Sequence, residues 1–302
     1  MGEISIPVVT FVLLYYKAYE DTIECIRSIQ ALEKNKCKVY LVVVDNNSND
    51  GSYERLCEVM NKDPGIFFLH NSVNLGFARG NNVGILYAKE SLNSDFVVAL
   101  NTDTIISQRN FIDVIASSFN QEHYYVMGPK VIGYYKKEEI QSPIGTVEDN
   151  SINKDILKNM IHLAAWKTKT ISLLRKIRPP KNIIAKGAFL GDKYNCICSG
   201  CCLVFSPLFL QEWDGFYNGT FLYREERILF YVLSRLNCKT MYCDELEVYH
   251  KGGASSDIEY NRDEYKKAIS FYTNRLASMR QEKRIRKLDD SVLRKVLKAD
   301  YE

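Results

Sequence analysis

Two carboxylates stand where apolar runs end. Asp45 closes Val39–Val44, and Asp103 follows Phe96–Leu100 inside Asn101-Thr102-Asp103-Thr104. An acid that terminates a buried strand points into the crevice where a nucleotide would lie, and a carboxylate at position 45 can accept the imide N–H of uracil or thymine. The following Asp50-Gly51-Ser52 is accounted for by a turn and a helix cap. Asp103 has the oxygen donors by which Mg²⁺ or Mn²⁺ is held against a diphosphate leaving group. Between the two acids, Asn74-Leu-Gly76-Phe-Ala-Arg79-Gly80-Asn-Asn82-Val-Gly84 puts three glycines and a cation at a strand-to-helix turn. Such a turn lets backbone and ligand approach closely, and Arg79 can meet a phosphate. Its spacing is not G-x-G-x-x-G, which disfavours a nicotinamide dinucleotide. Late in the chain, Glu225-Glu226 has the form of a helix start favoured by the dipole, or of a general base. His250, ending Leu246–Tyr249, is by itself more simply a satisfied core histidine.

These side chains need elements to hold them. Val8–Leu14 is a continuous apolar run, as in a strand buried on both faces. Asp21-Thr22 offers a helix cap, with Ile23, Ile26 and Ile29 at helical spacing. Val39–Val44, Ile66–Leu69 and Phe96–Leu100 are further strands, and Phe77–Lys89 is a helix with a Gly-rich start. The alternation β-α-β-α-β-α-β implies an α/β protein with a mostly parallel, doubly wound sheet. Ligands of such sheets lie beyond the carboxyl ends of the strands, where Asp45 and Asp103 both fall.

From Tyr134 to Tyr194 the pattern weakens. Residues 151–190 carry nine Lys or Arg and one acid, Asp155. That stretch is either a solvated face or a basic amphipathic surface for anionic lipid or a pyrophosphate-bearing acceptor. Arg178-Pro-Pro-Lys181 breaks any helix there. Regular structure resumes at Cys196–Phe205 and closes with Thr240–His250. Residues 263–302 read as helix, with Tyr265, Ile269, Tyr272 and Leu276 at helical spacing.

In order, Asp-Asn-Asn-Ser-Asn-Asp-Gly-Ser (45–52), Asn-x-Gly-Phe-Ala-x-Gly-Asn-Asn (74–82), Leu-Asn-x-Asp-Thr (100–104), Ser-Gly-Cys-Cys-Leu-Val-Phe-Ser (199–206), Gly-Phe-x5-Leu-Tyr-x-Glu-Glu (215–226) and Val-Tyr-His (248–250) resemble family 2 glycosyltransferases. The similarity is greatest to bacterial rhamnosyl- and galactofuranosyltransferase-like enzymes of capsule and cell-surface polysaccharide synthesis. It covers about Val8 to Ser255, apart from Tyr134–Tyr194. It implies the Rossmann-like GT-A fold: a nucleotide-sugar half at 1–130, an acceptor half at 131–255 and a C-terminal helical extension at 256–302. It also implies an inverting transfer from a UDP- or dTDP-sugar to a saccharide acceptor, in which the acceptor is lipid-linked. By the same resemblance, Asp45, Asn47, Asn74, Gly76, Arg79, Asn82, Asn101 and Asp103 bind the nucleotide-sugar. Asp103 and His250 hold Mg²⁺ or Mn²⁺, and Glu226 or Glu225 deprotonates the acceptor. Asn101 replaces the first acid of the Asp-x-Asp motif, and Tyr15 stands where relatives often have Asn. Two other readings stay open: a nucleotidyltransferase, which has no use for the late Glu-Glu and Val-Tyr-His, and a non-catalytic nucleotide-binding protein of the same fold.

Composition fits a folded enzyme. The chain has 302 residues, 46% hydrophobic and 25% charged, which excludes the disordered and fibrous classes. Its length suffices to bury a large core without staples. A net charge of +3 gives no argument for nucleic acid. Nine cysteines are too sparse for a disulfide scaffold, and an odd number cannot pair completely. The cluster Cys196, Cys198, Cys201 and Cys202 lacks two ligand pairs on separate turns, so it reads as a buried strand before a zinc site. A reducing cytosol is expected. Ile4–Tyr16 is uncharged, but only an acid precedes it and Pro7 interrupts it, unlike a signal peptide. It is also too short to span a bilayer. The expected location is the cytoplasm, peripherally at the cytoplasmic face of the membrane.

Overall fold

A computed structural model of the chain describes residues 6–35, 37–60, 62–135, 139–148, 151–177, 191–252, 259–261 and 263–300. The expected break at Arg178-Pro-Pro-Lys181 lies outside them. The apolar runs form strands β1 (Val8–Tyr15), β2 (Lys38–Asp45), β3 (Ile66–His70) and β4 (Phe96–Asn101), with helices α1 (Tyr19–Gln30), α2 (Ser52–Met60) and α3 (Gly76–Glu90) between them. Next come β5 (Thr104–Ile105), α4 (Phe111–Glu122), β6 (Val126–Gly133), β7 (Gly145–Thr146), α5 (Ile152–Lys167) and α6 (Ile171–Ile177). The chain continues through β8 (Cys196–Ile197), β9 (Cys202–Phe205), α7 (Pro207–Glu212), α8 (Glu225–Arg235) and β10 (Thr240–His250). It ends in α9 (Glu264–Ile285) and α10 (Asp290–Val296).

The main sheet has the order β3-β2-β1-β4-β9-β6-β10-β5. β1 pairs in parallel with β2 and β4, and β2 with β3. β9 is antiparallel to both β4 and β6, which turns β6 and its parallel neighbour β10 back to the direction of β1. The carboxyl ends of β1, β2, β3, β4, β6 and β10 therefore share one edge. Tyr15 lies opposite Asp45 in the register, and Asp45 opposite His70. β1 and β4 are neighbours although the chain passes through β2 and β3 between them, which makes their junction the switch point where ligands of such sheets bind. Position 130, the expected end of the nucleotide-sugar half, falls inside β6, and the sheet crosses it without interruption.

Both sheet faces are packed. One core contains Phe11, Leu13, Ile26, Val43 and Phe111; the other contains Val12, Val44, Leu203, Phe205, Trp213 and Leu229. Leu293, Val296 and Leu297, in and just after α10, belong to the second core, so the C-terminal extension is built into the same body.

Several elements depart from expectation. α1 begins at Tyr19, and its capping residue Ala18 has no side chain to give. Thr22 Oγ1 instead donates to the Ala18 carbonyl at 2.6 Å. Cys196–Phe205 is broken into β8 and β9 by the Ser199-Gly200-Cys201 turn. The C-terminal helix stops at Ile285 and restarts at Asp290, with Asp263 capping its first turn through the amides of Tyr265 and Lys266. No helix among the described residues is long and apolar enough to cross a membrane.

Candidate functional site

Asp45 is carried to the sheet edge by β2 and is 1% exposed. Its Oδ1 accepts from the Ser48 hydroxyl at 2.6 Å and its Oδ2 from His70 Nδ1–H at 2.8 Å. The Ser48 amide adds a longer bond to each oxygen, at 3.2 and 3.4 Å, and these donors together fix the direction in which this buried carboxylate points. His70 ends β3 as Asp45 ends β2, one residue beyond the apolar run Ile66–Leu69, and that position is the one signal of it in the sequence. Tyr15 is fully buried beside Asp45, its hydroxyl donates to Ser52 Oγ, and burial pushes its phenol up to about 12. Asn47 follows in the turn, half-buried, with φ at +65°.

Asp103 and His250 come from distant parts of the chain. β5 pairs antiparallel with the end of β10, setting His250 opposite Thr104. His250 Nε2 lies 3.2 Å from Asp103 Oδ1, and the Lys251 amide donates to the Asp103 carbonyl at 3.0 Å. The other imidazole nitrogen, Nδ1–H, donates to Gln141 Oε1 at 2.8 Å, which leaves Nε2 as the nitrogen aimed at Asp103. Gln141 lies in the weakly patterned stretch after Tyr134, where no periodicity singles it out. Lys251 anchors the strand end to α1 through Asp21 and Glu24, each at 2.6 Å. Among the described residues no group of three or more His, Cys, Asp or Glu could hold a metal alone. An oxygen and an imidazole nitrogen at this spacing fit a hard divalent ion whose other ligands are phosphate or water oxygens. Asn101, half-buried, ends β4 beside them, with its amide donating to the Cys201 carbonyl at 2.8 Å.

Glu225 and Glu226 open α8 but meet different surroundings. Glu225 is 3% exposed, its Oε1 is buried without a hydrogen-bond partner, and burial followed by the Glu226 charge raises it to about 8. Glu226 is half-buried, with Oε2 turned toward the Gly200 backbone, 3.5 Å from where a Cβ would begin. Burial raises it as well. The Ser199–Cys201 turn thus connects Glu226 with the end of β4, and the Cys201 thiol, itself pushed up to about 12 by burial, feels the charges of both Asp103 and Glu226. The four cysteines of the 196–202 cluster are buried free thiols.

The glycine-rich turn packs closely against other parts of the chain. Gly76 has φ at +78°, and a Cβ there would sit 2.3 Å from the Phe221 carbonyl oxygen, which accepts from the Phe77 amide at 2.7 Å. What approaches Gly76 closely is the chain's own backbone. Gly84 lets α3 close onto the sheet, since a Cβ would lie 2.4 Å from Val12 Cγ1 and 2.9 Å from Val44 Cγ2. Asn82 is 5% exposed, and its amide grips Phe216 and Asn218. Arg79 is exposed and donates through Nε to the Asn218 carbonyl at 2.9 Å. Asn74 accepts from Gly76 N and from the side-chain amide of Asn46, each at 2.9 Å. Asn46, which sequence reasoning does not single out, also receives the Leu75 amide at 3.0 Å. These residues brace α3 against the 215–221 segment that leads into Glu225.

Arg224 likewise carries no signal in the sequence. It is 5% exposed with φ at +75°, and Nε donates to the fully buried Glu282 at 2.7 Å, while Nη1 lies 3.4 Å from Asp155. A left-handed conformation at a bulky residue is held only by such surroundings, and here it aims the start of α8.

The family model for Glycosyl transferase family 2 matches residues 10–187. A protein of Haemophilus influenzae described as "Uncharacterized glycosyltransferase" is 20% identical over 278 residues, covering 89% of this chain and 76% of that one. Among solved structures, S. aureus TarS 1–349 superposes with a TM-score of 0.52 at 14% identity, over 96% of this chain and 69% of TarS. The mannosyltransferase PcManGT of Pyrobaculum calidifontis, solved with GDP-Man and Mn²⁺, gives 0.52 at 14%, over 90% of this chain and 70% of its own. TarS has also been solved with UDP-GlcNAc. At these identities the likeness is one of fold, the GT-A architecture.

Proposed function

The chain belongs to glycosyl transferase family 2, and on that premise we propose that it is a metal-dependent inverting enzyme that moves a sugar from a UDP- or dTDP-sugar to a lipid-linked saccharide during synthesis of a bacterial surface polysaccharide. The observation that carries this reading is the Asp103–His250 pair at the end of β4, with Glu226 connected to that strand end through the Ser199–Cys201 turn and Asp45 on the same sheet edge. Asp45, held by Ser48 and His70, accepts the imide N–H of the pyrimidine, with Asn47 beside it. Asp103 and His250 would hold Mg²⁺ or Mn²⁺, with Asn101 alongside and Gln141 fixing the imidazole so that Nε2 stays available. A divalent ion bound there with the diphosphate supplies countercharge as the nucleoside diphosphate leaves. Glu226 takes the proton of the acceptor hydroxyl while that oxygen bonds to the anomeric carbon and the bond to the diphosphate breaks. Burial raises its proton affinity, which makes it a stronger base than an ordinary carboxylate. A single displacement needs no enzyme nucleophile. In this scheme residues 1–130 hold the donor, 131–255 the acceptor, and 256–302 support both.

The sequence nominates Asn74, Gly76, Arg79 and Asn82 for the donor as well. Their partners within the chain favour a bracing role for Asn74, Gly76 and Asn82, and leave the outer nitrogens of Arg79 for phosphate.

The test is calorimetry of UDP binding with and without Mn²⁺, alongside Mn²⁺ binding followed by electron paramagnetic resonance. Asp103→Ala should erase the manganese dependence. Gln141→Leu should weaken Mn²⁺ binding about 10–100-fold, as loss of a supporting hydrogen bond to a ligating histidine does, and Gln141→Glu should restore it. Unchanged manganese dependence in Asp103→Ala overturns the metal assignment. A panel of sugar nucleotides with Mn²⁺ should show slow hydrolysis to free nucleoside diphosphate and sugar; release of pyrophosphate from a nucleoside triphosphate would instead favour a nucleotidyltransferase.

A further inference from the structure

Helix α5 turns its apolar residues in two directions. Leu157 is 60% exposed, Met160 46% and Ile161 43%, and Ala164 is exposed in line with them. Positions three and four apart share a face, so these four form one stripe about 100° wide along the helix. The opposite face is occupied. Ile152 and Asn159 are buried there, with Ala165 buried at its margin; Asn159 donates to the Tyr272 carbonyl at 2.7 Å, and His162 stacks on the Tyr272 ring with centroids 5.4 Å apart. The outward stripe is therefore surplus to the packing of α5 on α9.

Lysines border it. By helical position Lys154 and Lys158 flank one side of the stripe and Lys167 the other, and all three are exposed, as is Lys169 just beyond. The acid of this segment, Asp155, faces inward to Arg224 at 3.4 Å. Leu173 on α6 adds a further apolar side chain, 59% exposed. An apolar stripe with cations along both borders is the pattern of a helix lying in the plane of an anionic bilayer, where the apolar residues enter the headgroup boundary and the ammonium groups meet phosphates. A second copy of the chain fits this face poorly, because a two-fold contact through the stripe would set lysines against lysines with no acid between them.

We propose that α5 docks the protein on an anionic membrane surface through Leu157, Met160, Ile161 and Ala164, with Lys154, Lys158 and Lys167 on lipid phosphates. The inference deepens the proposed function, since it rests on the reading that the acceptor is lipid-linked. Docking has a direct connection to the chemistry: the inward face of α5 touches Arg224 through Asp155, and Arg224 immediately precedes Glu225 and Glu226. A lipid-borne saccharide reaching up from the bilayer beside α5 would thus approach the start of α8.

The experiment is sedimentation of the full chain with vesicles of phosphatidylcholine containing phosphatidylglycerol, against vesicles of phosphatidylcholine alone. The protein should pellet with the anionic vesicles at low salt, release as salt screens the lysines, and ignore the neutral ones. The triple variant Leu157→Gln, Met160→Gln, Ile161→Gln should partition at least about tenfold more weakly, because inserted apolar area sets the affinity of such helices. Lys154→Gln, Lys158→Gln, Lys167→Gln should abolish the preference for anionic lipid. Both variants should retain the slow hydrolysis of the sugar nucleotide in solution, which shows that they fold. A wild-type protein that ignores anionic vesicles at low salt, or a triple variant that pellets like wild type, overturns the proposal. So does a wild-type dimer that the triple variant disperses without any vesicle binding, which would assign the stripe to self-association. Vesicle binding without hydrolysis of any sugar nucleotide would leave docking standing and remove the functional reading; hydrolysis without vesicle binding would do the reverse.

Discussion

Glu225 and Glu226 are the same residue type one position apart, and only their surroundings separate them. Glu225 lies in the interior with an unpartnered oxygen and is raised to about 8 by burial and then by its neighbour's charge. Near neutral pH it is mostly an uncharged acid. Its folded proton affinity exceeds its ordinary value of 4.5, so the stability it contributes is complete below about pH 4.5 and is lost as pH rises through about 8. Glu225→Gln keeps the shape without the charge. It should match the wild-type melting temperature at pH 4 and exceed it at pH 9 by about 2–4 °C or more, read from thermal scans across pH. Glu226 faces the Ser199–Cys201 turn, and Glu226→Gln should lower turnover about 10²–10⁴-fold with UDP affinity unchanged. A dead Glu225→Gln beside an active Glu226→Gln would reverse the assignment. Residue types make the pair legible in the sequence; burial, set by Arg224 and the turn from β8 to β9, cannot be read there. His70 and Gln141 are illegible for a related reason, since each matters through one partner far away in the chain.

Elements are legible wherever an apolar run meets turn residues. The expected strands Val8–Leu14, Val39–Val44, Ile66–Leu69 and Phe96–Leu100 each appear one residue longer at the carboxyl end, and β2 also one residue longer at its start. The direction of β9 is not legible, because Cys202–Phe205 is equally apolar read either way, yet its antiparallel insertion is what brings β10 and His250 to the edge. The glycines of α3 show a second limit. A sequence reveals that space is left at Gly76 but not what fills it, and here the filler is the Phe221 backbone. Gly76→Ala should therefore cost about 2–5 kcal/mol, a left-handed penalty of about 1–2 plus an overpacking cost of about 1–3. It should also lower turnover, since Phe221 lies four residues before Glu225. Gly51 separates the two causes: its φ is +75°, but nothing lies within 4 Å of a Cβ there. Gly51→Ala should cost only the left-handed penalty of about 1–2 kcal/mol and leave turnover alone. Urea unfolding and steady-state kinetics of the two variants decide it; equal losses from both would mean that the Phe221 contact carries nothing.

At the scale of the whole molecule, one sheet edge gathers the candidate residues and the C-terminal extension locks them. Glu282 on α9 is fully buried and receives Arg224 Nε at 2.7 Å and Arg286 Nη2 at 3.0 Å. The Trp213 indole donates to the Arg294 carbonyl at 2.9 Å, tying α10 to the end of α7. The extension thus holds the turn that starts α8, and α8 carries Glu226. Removing one partner of a buried ion pair strands the other, so Glu282→Ala should destabilise the fold by about 3–5 kcal/mol in urea. Replacing Arg224 and Glu282 together strands neither of them, although Arg286 and Asp155 each lose a partner, so Arg224→Met with Glu282→Leu should recover part of the loss. Turnover should behave differently. If the pair serves to aim Glu225 and Glu226, the double variant regains stability but not activity, because a thioether side chain in place of the guanidinium has no ion pair to hold the left-handed turn. UDP binding with Mn²⁺ should survive in it, since Asp45 and His250 stand on strands, and Asp103 in the turn from β4 to β5, that the pair does not touch. Recovery of both stability and turnover in the double variant would make the pair a matter of folding alone, and the alignment of Glu226 would then rest on the Gly76–Phe221 contact.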